Sequence, residues 1–130
     1  MSTKEVFAGK LVDRKSKFYA HLYKIENLNE DIEEIQKIHN KKYKKAAHHC
    51  YAALINNQED SRNDGEVGSP GRVLLELLHE YELDGYMIMV SRIFGGIKLG
   101  QGGVARAFRN SGRGVIEAYK NRSEEHTSEL

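Results

Sequence analysis

The sequence predicts an α+β fold, an α/β sandwich in which helices pack on one face of a mixed sheet. Three observations predict it. Apolar residues recur with a period of two in some segments and at spacings of three and four in others, the signatures of half-buried strands and amphipathic helices. The two kinds follow one another in the order β-β-α-β-α-β-α, which builds a sheet covered by helices rather than a bundle. The chain of 130 residues, 39% apolar and 30% charged, suffices for one domain with a core and is short for two.

Glu5 to Asp13 and Ser16 to Ile25 read as two strands joined by a short polar turn. In the second, Phe18, Ala20 and Leu22 share one face, and Tyr19, His21 and Tyr23 the other. A helix follows over about Leu28 to Tyr43, with Leu28, Ile32, Ile35 and Ile38 on its apolar side. Its acids come early and its lysines late, as the helix dipole favours. His48 to Asn56 forms the third strand, with Cys50, Ala52 and Leu54 on one face, and Asn57 to Gly68 is a polar, mobile loop. Ser69-Pro70 reads as N-cap and first-turn proline of a helix carrying Val73, Leu74, Leu77, Leu78 and Tyr81. The apolar run from Tyr86 to Val90 is the last strand. It feeds a glycine-rich loop and a final helix that runs to about Lys120, with Val104, Phe108, Ser111, Val115 and Tyr119 turned inward.

Residues 122–130 carry no periodicity and resemble the translation of a common sequencing adapter. They are expected to be a foreign tail, leaving residues 1–121 as the domain. Cys50 is the only cysteine, so no internal disulfide forms and a reducing, cytoplasmic location is expected. No apolar run reaches the roughly 18 residues of a membrane span, and no membrane partner is expected.

The segment Ser91–Phe108 concentrates the chemistry. Gly95, Gly96, Gly100, Gly102 and Gly103 allow close approach of the backbone to another surface, and a helix N-terminus offers unpaired N–H groups just behind them. Between Met87 and Lys120 stand six basic residues and one acid, Glu117. Arg106, Arg109 and Arg113 recur at spacings of three and four and share a helix face. With Arg92 and Lys98 they form a candidate phosphate or nucleic-acid site.

Other motifs carry less. Gly100 to Ala105 fits G-x-G-x-x-A, but no second strand ending in an acid follows about 20 residues on, so a dinucleotide site is not supported. His48-His49-Cys50 puts only two ligands on one strand face, where zinc takes four, so neither metal nor cofactor is expected. Asp64 and Glu66, just before a helix, are weak acidic candidates for holding Mg²⁺ or for acid–base work and fit better as turn and helix-terminus acids. No nucleophile stands beside a base, so no catalytic residue is assigned. Tyr19, His21, Tyr23, His49 and Tyr51, on the less apolar sheet face, can stack bases if that face is open, though cross-strand pairing explains them too.

Lys15-Ser-Lys-Phe18, His49-Cys-Tyr-Ala52, Asn63-Asp-Gly-Glu66 with Gly71-Arg72, Ser91-Arg-Ile-Phe-Gly-Gly-Ile-Lys-Leu-Gly100 and Val104-Ala-Arg-Ala-Phe108 together resemble the IMPACT N-terminal domain family, also called YigZ or UPF0029. The resemblance covers nearly all of residues 5–120 and implies a fold similar to domain 2 of ribosomal protein S5. It further implies a cytosolic protein linked to translation control. Val67 stands where bacterial members commonly have proline. Three functions are expected from residues and resemblance together. The first is a non-enzymatic module binding RNA or the ribosome. The others are a regulator acting through a protein partner, and a small enzyme using Asp64 and Glu66 on a phosphorylated substrate.

Overall fold

The computed structural model describes the backbone of residues 4–128 and the side chains of residues 4–122. The described chain runs β1 (Lys4–Asp13), β2 (Ser16–Lys24), α1 (Leu28–Lys42), β3 (His48–Ile55), β4 (Gln58–Arg62), α2 (Pro70–Glu80), β5 (Tyr86–Ile93), α3 (Gly100–Ser128). The strands form one sheet in the order β1-β2-β5-β3-β4. The α+β class is as expected, but the sheet is antiparallel at every junction rather than mixed.

Strand β4 lies inside the segment expected to be a loop. Asn56 and Asn57 both adopt positive φ (52° and 65°), the geometry of a two-residue hairpin turn that matches the strand twist. Ile55 then pairs with Gln58, and the hairpin zips as far as Tyr51 opposite Arg62. All five β4 residues are exposed and polar, so no hydrophobic alternation announces the strand. The same turn geometry joins β1 to β2 through Arg14 and Lys15.

Helices cover both faces of the sheet, not one. On the first face α2 and α3 bury Leu74, Leu77, Leu78, Val104, Phe108 and Ile116 against Phe18, Ala20, Leu22, Cys50, Ala52, Ile88 and Val90. Phe18 meets Phe108 edge-on at 5.2 Å, a favoured aromatic geometry. On the opposite face α1 sets Ile32 and Ile35 against Tyr23, Tyr51, Ala53, Met87 and Met89. The topology explains the difference. β2 and β3 are parallel with β5 between them, bridged by α1; β4 and β5 are parallel, run the other way with β3 between them, and are bridged by α2. Two right-handed crossovers would place both helices on the same face. Because they lie on opposite faces, the crossovers have opposite hands.

The helix ends are held by long-range as well as local contacts. Asn27 caps α1 through Glu30 N–H at 3.3 Å, and the buried Asp31 carboxylate accepts from Glu26 and Asn27 N–H at 2.8 and 3.0 Å. Pro70 opens α2 as expected, but Ser69 is left-handed and its side chain caps nothing. Asn63, eight residues upstream, accepts from Gly71 N–H at 2.9 Å instead. In α3, a Cβ on Gly112 would sit 2.9 Å from Leu77 Cδ1 and 3.0 Å from Leu74 Cδ2. Close packing of α2 on α3 therefore accounts for this glycine, despite its cost of about 1 kcal/mol within a helix. Helix α3 continues past the expected end near Lys120 to Ser128. The expected foreign tail, residues 122–130, lies outside the residues with described side chains except for Arg122.

Candidate anion-binding site at the glycine loop

The loop from Phe94 to Leu99 connects β5 to α3 and lies against the β1–β2 turn. Gly95 makes that contact possible: a Cβ there would fall 2.1 Å from the carbonyl carbon and oxygen of Lys15. Its missing side chain serves packing within the domain rather than approach of a ligand. Gly96 and Gly100 take positive φ (92° and 75°), and a Cβ on Gly96, Gly100 or Gly102 would project into open space. Gly103 is in the first turn of α3, close to Leu99. The first N–H groups of α3 have no partner within the helix, and Gly68 packs against this turn, where a Cβ on it would fall 2.7 Å from Gln101 O and 3.2 Å from Ala105 N.

The five expected cations separate into two groups. Arg92 is only 6% exposed. Its Nη1 donates to Glu66 Oε2 at 2.8 Å, its Nη2 donates to Ser16 Oγ at 3.3 Å, and Gly95 N–H donates to the same Oγ at 3.2 Å. Arg113 forks onto Glu80 from α2 at 2.6 and 3.3 Å and also reaches the Tyr81 hydroxyl, and these bonds push its pKa up. Both arginines are engaged within the fold. Lys98 and Arg106 are exposed, Arg109 is half-buried, and none of the three is ion-paired among the described residues. These three cations have no compensating acid among the described residues.

The two acidic candidates are tied into structure. Asp64 and Gly65 form a turn with φ of 52° and 77°, closed by Glu66 N–H donating to Asn63 O at 3.0 Å. The Asp64 carboxylate accepts from His49 N–H at 2.8 Å and lies 3.2 Å from Arg62. Its carbonyl accepts from His48 Nδ1 at 2.7 Å. The Glu66 carboxylate is buried between Arg92 and His48, 3.6 Å from His48 Nε2, and accepts from Val67 N–H. Cys50 is fully buried, donates to Asn63 O at 3.1 Å, and burial pushes its thiol pKa upward, away from nucleophilic thiolate. Among the described residues no group of three or more His, Cys, Asp and Glu side chains is placed to hold a metal ion. No helix there is long and apolar enough to cross a membrane.

The aromatic sheet face offered above for base stacking is closed by α1. His21, Tyr23 and Tyr51 are 4–5% exposed. Tyr43, at the C-terminal end of α1, stacks on Tyr19 at 4.6 Å and lies 2.6 Å from His21 Nε2, while His21 Nδ1 contacts Glu5. His39, fully buried on α1, joins Tyr23 OH at 2.9 Å to Ser91 Oγ at 2.7 Å, and Ser91 Oγ lies 2.7 Å from His49 Nδ1. Burial, reinforced by neighbouring His21, His49 and Lys42, drives the His39 pKa down to about 3, so the ring is neutral. Burial also raises the Tyr23 hydroxyl and lowers His49.

Sequence reasoning missed the apolar half of the glycine-loop surface. Val67, Phe94 and Ile97 are 51%, 50% and 43% exposed, large side chains left in water around the basic loop. Val67, Arg92, Phe94, Lys98, Leu99 and Gly100 line much of a cavity of about 290 Å³ at the start of α3. The signal available was a phenylalanine in a glycine run without a periodic partner.

The fold and the site define an α+β domain with a basic, glycine-rich loop at the start of its last helix. The profile of the Impact N-terminal domain matches residues 14–116, and the chain belongs to that family. It is 38% identical over 114 residues to the IMPACT family member YvyE of Bacillus subtilis, which covers 85% of this chain and 52% of that protein. It is 35% identical over 113 residues to an IMPACT family member of Haemophilus influenzae, with 82% and 53% covered. Protein IMPACT-B of Xenopus tropicalis is 38% identical over 97 residues, 69% of this chain and 30% of that one. The chain thus spans about half the length of the bacterial relatives. Among solved structures, the crystal structure of a hypothetical protein superposes with a TM-score of 0.79 at 22% identity, covering 90% of this chain and 61% of the other. The two-domain translational regulator Yih1 superposes with 0.58 at 20%, covering 88% and 46%. The two superpositions bear on the fold alone.

Proposed function

We propose that this domain is a non-enzymatic, cytoplasmic module of translation control that binds RNA or the ribosome through the glycine loop and α3. The observation that carries this reading is the set Lys98, Arg106 and Arg109, on the glycine loop and the first three turns of α3, which is unpaired among the described residues. Cations without partners attract phosphates, whereas Arg92 and Arg113 are already neutralised by Glu66 and Glu80. A link to translation is supported by likeness to Yih1, described as a translational regulator, and by relatives named IMPACT. The non-enzymatic part is supported by the engagement of Asp64, Glu66, Ser16 and Cys50 in internal hydrogen bonds.

The test is a fluorescence-anisotropy titration with ribosomal and transfer RNA at two salt concentrations, comparing the protein with the Lys98→Gln, Arg106→Gln, Arg109→Gln triple variant. Binding should weaken steeply with salt, and the variant should lose both affinity and most of the salt slope. Binding that is indifferent to salt and to the variant refutes the reading.

A further inference from the structure

We infer that the cavity at the start of α3 is a subsite for one unpaired nucleotide of a single-stranded RNA, its base against Phe94 and its phosphate against the α3 N-terminus and Lys98. This deepens, and rests on, the reading that the loop binds RNA. The cavity measures about 290 Å³, at the small end of ligand pockets, so it takes a single ring system and not the edge of a helix.

Three features define the ligand. The first is Phe94, half exposed, with the Arg92 guanidinium carbon over its ring at 5.7 Å. A ring backed by a cation on one side and open to water elsewhere is a platform for a flat π-system, and every base has such a face. The second is Arg92 Nε. Among the described residues it is the one buried side-chain nitrogen or oxygen with no hydrogen-bond partner, although both terminal nitrogens of the same guanidinium are satisfied. It belongs to a side chain that lines the cavity, and the enclosed guanidinium adds positive charge behind the cavity wall. The third is charge. Lys98 lines the cavity with Gly100 and Gln101 of the first turn of α3, where the positive end of the helix dipole favours an anionic group attached to the ring.

An unpaired nucleotide unites the three requirements. A base inside a duplex has its faces stacked and its edges paired, so it cannot enter. An apolar peptide side chain fills the cavity but leaves Lys98 and the helix N-terminus without a counter-charge.

The experiment uses the full chain with two labelled RNAs of equal phosphate count, an unstructured single strand and a hairpin duplex, read by anisotropy. Phe94→Tyr keeps the π-face, and Phe94→Leu keeps only apolar bulk; circular dichroism confirms that both fold. The subsite predicts that the single strand binds more tightly than the duplex. Phe94→Leu should then lose about ten-fold for the single strand alone, with an unchanged salt slope, while Phe94→Tyr retains it. Equal binding of both RNAs with no effect of Phe94→Leu overturns the subsite and leaves RNA binding through Lys98, Arg106 and Arg109 standing. Binding of neither RNA overturns both.

Discussion

Acidification should loosen this domain, and His39 is a principal reason. The ring is fully buried beneath α1, neutral, and hydrogen-bonded on both nitrogens. In the unfolded chain it titrates near 6.5, whereas in the fold burial drives it down to about 3. Between these values the unfolded state binds a proton that the native state refuses, so stability falls as pH drops through this window and is complete above it. One proton corresponds to roughly 1 kcal/mol per pH unit, so pH 5 should cost roughly 2 kcal/mol relative to pH 7. His49, also lowered by burial, acts in the same direction. Urea unfolding at pH 7, 6 and 5 measures the effect, as a midpoint shift on the order of 1 M. His39→Gln, which can still pair with Tyr23 and Ser91 but cannot take up a proton, should flatten the slope. Identical slopes in the two proteins would refute the assignment.

Two further outcomes follow from the loop side of the molecule. Glu66→Ala should destabilise by about 3–5 kcal/mol in chemical denaturation, because it leaves the buried Arg92 charge without its partner; a loss below about 1 kcal/mol would mean that water reaches Arg92. Gly95→Ala should cost about 1–3 kcal/mol, since its Cβ would sit 2.1 Å from the Lys15 backbone, whereas Gly102→Ala, facing open space, should be neutral or stabilising by thermal melt.

Most elements were legible because their burial is one-sided. Phe18, Ala20 and Leu22 alternate with Tyr19, His21 and Tyr23, and α2 carries a clean apolar stripe. Strand β4 was not legible, because a polar edge strand with both faces wet carries no period and is specified by the Asn56-Asn57 turn alone. The placement of α1 was hidden for a different reason. Periodicity shows which side of a helix is apolar, not which side of the sheet it joins, and the inward residues Asp31 and His39 are polar. At the site, the spacing of Arg106, Arg109 and Arg113 along α3 predicts one helix face. Their fates depend on distant chain: Glu80 reaches Arg113 from α2, and Glu66 reaches Arg92 across 26 residues. Such pairings depend on sheet register, which local sequence does not encode.

The polar edge formed by β4 also governs which neighbours the sheet admits. An open edge invites another strand, and two copies of this domain could in principle zip together there. β4 reads Gln58-Glu-Asp-Ser-Arg62, wholly exposed, so antiparallel self-pairing would bring the acids of one copy up against those of the other. The hairpin thus acts as a bumper against self-association through this edge.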